Sequence, residues 1–184
     1  MDKRALVVID AQQEYFAPLG KLVLPHGPAA IKRVGRALDW ARGSRVSVVH
    51  VVHESVKASP TTFAPGSKAL ELHPDARAAV GEAVFTKHLP GAFTGTGLEA
   101  LLRDRSIDHV LLAGFMTQMC VDTTARQAAH LGFRVTVLSD ATAAMAVTAP
   151  DGAVIDADQV HRTHLGSLSG FLATIQTVDE ATRA

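Results

Sequence analysis

The 184-residue chain reads as one α/β domain, a doubly wound parallel sheet with helices in a layer on each face. Two observations lead there. Short runs that are nearly all apolar and rich in β-branched residues recur along the chain, as strands buried on both faces require. Segments with apolar residues at three- and four-residue spacing lie between them, and such alternation makes a parallel sheet wrapped by crossover helices.

Taken in order, Ala5-Leu6-Val7-Val8-Ile9-Asp10 is the first strand, ended by a carboxylate. Gln12, Tyr15 and Phe16 follow in a loop closed by Pro18 and Gly20. Pro28 suits the first turn of a helix, whose core face is Ile31, Val34, Leu38 and Ala41 and which stops at Gly43. Val46 to Val52 is the second strand. Residues 53–74 keep no period and hold Pro60, Pro65, Gly66 and Pro74, so they read as a binding loop or a mobile one. A short helix is expected from about Asp75 to Val80.

Ala83 to Lys87 is the third strand, ended by a lysine. A turn-rich loop, Pro90 to Gly97, leads to a helix with Leu98, Leu101 and Leu102, for which Thr96 and Glu99 have capping-box spacing. Its glycines match neither of the usual phosphate-loop spacings. Asp108 to Gly114 is the fourth strand, and a helix from about Gln118 to Leu131 carries the lone Cys120 in its first turn, with Gly132 beyond its end. Phe133 to Leu138 is the fifth strand, ended by Ser139-Asp140. A helix near Ala157–Gly170 and a short strand near Ala173–Thr177 complete the chain.

Composition narrows the function. Lys+Arg and Asp+Glu balance at 18 each, so no basic stripe points to nucleic acid or a membrane surface as partner. Aromatic residues are 5%, too few for a base-stacking platform. One cysteine excludes an intrachain disulfide and fits a reducing, cytoplasmic setting. The apolar run near the start is too short for a signal peptide or a membrane span.

In parallel α/β sheets the site lies beyond the carboxyl ends of the strands. There the chain offers Asp10, Lys87, Cys120 and Asp140. A thiol nucleophile needs a base and an oxyanion stabiliser. Asp10 can be the base if burial raises its pKa, and Lys87 can hold carboxylate and thiolate in one charge network. The helix start would favour the thiolate and supply N–H donors. The alternatives are ordinary: Cys120 as a small core hydrophobe, Asp10 and Asp140 as caps or turn residues, and Lys87 as a solvated side chain.

The motifs decide between these. Asp10-Ala11-Gln12 with Phe16, Phe85-Thr86-Lys87 with Phe93, and Gly114-Phe115-Met116-Thr117-Gln118-Met119-Cys120-Val121 with Thr124-Ala125-Arg126 come in that order, followed by Gly132-Phe133 and Ser139-Asp140-Ala141. With them the chain resembles the isochorismatase-like cysteine hydrolases over about residues 4–175. The resemblance implies Asp10, Lys87 and Cys120 as a catalytic triad acting through a thioester. It implies a cis peptide at Phe115-Met116, with the N–H groups of Met116 and Cys120 as an oxyanion hole, and Gln12, Phe16 and Phe93 near the substrate. It also implies six parallel strands in the order 3-2-1-4-5-6, and dimers or tetramers; no cofactor is expected.

Two departures shape the expected activity. The nicotinamidases of this superfamily hold a metal with Asp-x-His after the second strand, where this chain has His50-Val51-Val52-His53. Histidines three apart on a strand face opposite ways, so no metal is expected. The isochorismatases often lack the cysteine, so Cys120 favours C–N hydrolysis of a small amide or ureido compound. A vinyl-ether hydrolase and a non-catalytic ligand-binding member are the alternative readings. His161 and His164, i and i+3 on a helix, are expected at a surface or interface.

Overall fold

The sheet is built around β1 (Arg4–Ile9), whose side chains divide between two cores. Leu6 and Val8 pack on one face, and Ala5, Val7 and Ile9 on the other, which is why the run shows no polar alternation. These features belong to a computed structural model, which describes residues 3–183. Further strands are β2 (Ser47–His53), β3 (Ala83–Lys87), β4 (His109–Phe115) and β5 (Arg134–Ala143). A two-stranded hairpin, β6 (Val147–Thr148) and β7 (Val154–Ile155), precedes the last strand, β8 (Thr174–Gln176). The main sheet is parallel throughout, in the order β3-β2-β1-β4-β5-β8. This is the expected 3-2-1-4-5-6 order, with the sixth sheet strand displaced to eighth in the chain by the hairpin.

Helix α1 (Gly27–Gly43) covers one face with Ile31, Val34 and Leu38, joined by the short α5 (Val178–Ala181). The other face is covered by α2 (Leu98–Asp104), α3 (Asp122–His130) and α4 (Ala157–Leu168) through Leu98, Leu102, Ala125, Ala128, Leu165 and Leu168. No helix among the described residues is long and apolar enough to cross a membrane.

Three local expectations need correction. Pro74–Ala76 is one 3-10 turn, and no helix follows to residue 80. The Thr96–Glu99 capping box does not form. Gly97 takes the N-cap position, the Thr96 hydroxyl donates to the Ala92 carbonyl (2.6 Å), and Glu99 pairs with Arg103. A true capping box stands instead at Thr177–Glu180. Strand β5 does not stop at Ser139-Asp140, because its pairing with β4 shifts register beyond Leu112 and resumes at Gly114 opposite Thr142. Asp140 is thereby turned to structure: it accepts the Val178 N–H at 2.8 Å and pairs with Arg33.

One partly buried polar cluster ties α1 to the sheet. Glu82 takes two hydrogen bonds from Arg42, one from the Ala79 N–H, and one from His50 of β2. Burial alone would raise the Glu82 pKa, but these donors outweigh it and hold the carboxyl down to about 2. A depressed folded-state pKa adds stability that is present above the ordinary carboxylate range and is lost as pH falls through the folded value. Glu82→Gln should therefore lower the melting temperature by a few degrees at pH 7. The variant's curve of melting temperature against pH should also be flatter between about pH 4 and pH 2.

Candidate active site

Strand order reverses between β1 and β4, and the site lies at the carboxyl end of that crevice. Ile9 pairs with Gly114 at the last rung. Gly114 has φ 114°, and a Cβ there would sit 1.9 Å from the Ile9 carbonyl oxygen, so only glycine lets the two strands close. Just beyond, Asp10 adopts φ 48°, a left-handed conformation that aspartate tolerates better than most residues. After β4 the Phe115-Met116 peptide is cis. The chain then makes a π-helical turn, Thr117–Val121, that runs directly into α3.

Asp10, Lys87 and Cys120 meet in the interior. Lys87 Nζ is 2.8 Å from Asp10 Oδ2 and 3.3 Å from Cys120 Sγ. Asp10 and Lys87 are almost wholly inaccessible, and Cys120 is 6% exposed. The solvated alternative for Lys87 is thus excluded: its side chain crosses the end of β2 to reach a carboxylate on β1. Neither Asp10 oxygen accepts a hydrogen bond from a backbone amide, which leaves the ammonium and the neighbouring thiol as its partners.

Burial raises the Asp10 pKa, opposed by the charge and hydrogen bond of Lys87 and by the thiol. The Cys120 thiol is also raised, first by burial and then by the adjacent carboxylate, with Lys87 pulling the other way. The expected lowering of the thiol pKa by the helix start is therefore reversed at rest, because desolvation and a neighbouring negative charge outweigh the dipole. Cys120 rests as a thiol beside a strengthened base.

The other expected residues occupy defined places. Gln12 is buried, and its amide is fully used by backbone: Nε2 donates to the carbonyls of His53 (3.0 Å) and Leu70 (2.9 Å), and Oε1 accepts the His53 N–H (2.8 Å). It clamps the 53–74 loop to the sheet. Phe16 packs on Phe115 and on the His73 ring. Phe93 stacks on Phe133 within the apolar cluster that includes Cys120.

The sequence reading missed three features. Tyr15 is buried against Phe63 and Phe115, close enough for the charges of Asp10 and Cys120 to raise its pKa after burial has done so. Glu14 is buried and accepts the N–H groups of Lys21 and Phe63, fastening the same loop as Gln12. His161 and His164 brace the nucleophile's turn. His161 Nδ1 lies 2.9 Å from the Thr117 hydroxyl, which also meets Thr142, and His164 pairs with Asp122. Asp122 and Arg126 form an i,i+4 pair at 2.7 Å, with Asp122 largely buried. His50 and His53 do face different partners, Glu82 and Lys87. Among the described residues no group of three or more acidic, histidine or cysteine side chains is arranged to hold a metal ion.

A buried acid, lysine and thiol at the switch point of this sheet mark a hydrolase of the α/β class. The chain belongs to the isochorismatase family, whose Isochorismatase domain model matches residues 4–180. It is 36% identical over 170 residues to the secreted isochorismatase effector Isc1 of Verticillium dahliae, covering 92% of this chain and 85% of that one. The crystal structure of a candidate isochorismatase hydrolase from Oleispira antarctica superposes with a TM-score of 0.92 at 34% identity, over 98% of this chain and 96% of the other. That of N-carbamoylsarcosine amidase from Thermoplasma acidophilum gives 0.80 at 27% identity, over 97% and 98%.

Proposed function

We propose that the protein is a cysteine amidohydrolase that cleaves a C–N bond of a small amide or ureido compound. The observation that carries this reading is the buried trio: one ammonium within 2.8 Å of a carboxylate and 3.3 Å of a thiol, with no other ion pair to the carboxylate among the described residues. The likeness to N-carbamoylsarcosine amidase, which by name acts on such a bond, supports it.

Substrate carbonyl and thiol come together as the thiol proton passes to Asp10, and the sulfur attacks the carbonyl carbon. The oxyanion is held by the N–H groups of Met116 and Cys120. Both lie at the start of the helical segment, where amides lack partners within the helix. The Met116 carbonyl, on the peptide that follows, accepts the N–H groups of Met119 and Val121 and anchors the residue at the start of this turn. As the C–N bond breaks, Asp10 returns its proton to the leaving nitrogen. Water then gives a proton to Asp10 and attacks the thioester, which releases the acid and restores the thiol. Lys87 keeps its charge throughout and stabilises whichever of carboxylate and thiolate is negative.

The test is an ammonia- and amine-release screen over small amides, ureas and carbamoyl compounds, run beside a pyruvate assay on an enol-pyruvyl ether. Release of nitrogen from at least one compound is expected. Pyruvate release with no nitrogen release from any of them would overturn the reading.

A further inference from the structure

The mechanism leaves one of the closest neighbours of Lys87 unused. An ammonium has three N–H donors and no acceptor. Asp10 and Cys120 account for two, and the third partner is His53 Nδ1 at 3.3 Å. His53 is the last residue of β2, paired in register with Lys87 on β3, and it stands between Lys87 and the β1 end that bears Asp10. Its placement is heavily determined. Gln12 binds its N–H and its carbonyl, and the Phe63 ring meets the imidazole edge-on at 4.9 Å. Since Lys87 can only donate, Nδ1 must accept, so the ring is neutral and carries its proton on Nε2. That Nε2–H makes no hydrogen bond among the described residues. Nδ1 shares Lys87 with the sulfur, so it lies at most twice 3.3 Å from Sγ.

We propose that His53 is a positioning residue of this site: its Nδ1 takes the third Lys87 N–H and so holds the ammonium between Asp10 and Cys120, while its Nε2–H is free for an oxygen of the substrate. The proposal rests on the amidohydrolase reading for the use made of the thiolate, but the contact it describes exists in the resting protein. The charged and titratable groups around the ring agree with a neutral imidazole. Burial, then the Lys87 ammonium, then His88 pull its pKa down to about 4. Glu54, next in sequence, turns its carbonyl to His88. Together they explain Gln12 as well. A glutamine whose whole amide is spent on backbone has as its main product a fixed His53.

Cys120 is the only thiol, so alkylation by iodoacetamide reads the triad without any substrate. The second-order rate constant would be followed from pH 5 to pH 10 for wild type, His53→Leu and His53→Asn, with circular dichroism confirming each fold. The leucine variant loses the acceptor. Its rate constant at neutral pH should fall at least about tenfold and its pH profile should move to higher pH, the effect of a lost charge-assisted hydrogen bond on thiolate stability. Asparagine places Oδ1 near the Nδ1 position and should stay within about threefold of wild type, since the acceptor survives. If leucine will not fold, His53→Ala takes its place. A leucine or alanine variant alkylated at the wild-type rate overturns the proposal, as does an asparagine variant as slow as either. Alkylation that depends on His53, in a protein that releases no nitrogen from any compound, would sink the amidohydrolase reading and leave this one standing.

Discussion

Replacing Cys120 by alanine is expected to lower turnover of any amide or ureido substrate at least about a thousandfold, with the fold preserved. The size of the effect follows from the covalent route, because without sulfur there is no thioester and the remaining groups only bind and polarise the carbonyl. The fold should survive because the change removes one sulfur from a helix start whose backbone is fixed by other contacts. Met116 accepts from Met119 and Val121, and Thr117 is held by Thr142 and His161. Ammonia release and a melting curve, measured on the same preparation, check both halves. Turnover that survives the substitution would remove the nucleophile from the mechanism, and a vinyl-ether hydrolase would behave in that way.

The second large effect concerns stability. Asp10 and Lys87 are a buried pair whose side chains are both 0% exposed. Removing one partner of such a pair strands the other charge, at a cost of about 3–5 kcal/mol. Lys87→Met and Asp10→Asn should each destabilise by that order in urea unfolding. The double variant should lose less than the sum, since neither charge is then left alone. The pH dependence has a definite sign. In Lys87→Met the desolvation that raises the Asp10 pKa is no longer opposed by the ammonium. A folded-state pKa above the unfolded one gives stability that is full below the unfolded value and is lost as pH rises through the folded value. The variant should gain stability relative to wild type as pH is lowered from 7 toward 5. A parallel course of the two proteins would mean that Asp10 does not carry the charge.

Much of this was legible in the sequence, for identifiable reasons. The strands announced themselves because burial on both faces leaves no room for polar residues, as in Leu6-Val7-Val8-Ile9. The candidate site was legible because Asp10 and Lys87 stand at the ends of such runs and Cys120 lies in the turn after one. The 53–74 loop was not, because its order comes from distant side chains: Gln12 reaches Leu70 and Glu14 reaches Phe63, 58 and 49 residues away. Nor was the continuation of β5 past Ser139, which depends on a register shift against β4. The resting thiol was misjudged in sign. Local sequence shows the helix start, but desolvation and the neighbouring Asp10 belong to the assembled fold. His53 was considered for a metal it does not suit, and its contact with Lys87 arises from pairing β2 beside β3.

Gly114 gives this arrangement an asymmetry of its own. The separation of base from nucleophile is set where two main chains touch, at a position that excludes even a methyl group. Substitutions along the floor of the site can destroy that spacing but have no graded way to adjust it. The 53–74 segment above it is fastened in part by Glu14, a side chain that can be exchanged without touching that floor. The buried trio thus stands on a rigid floor beneath a replaceable roof. Redesign of this scaffold has room in the roof and none in the floor.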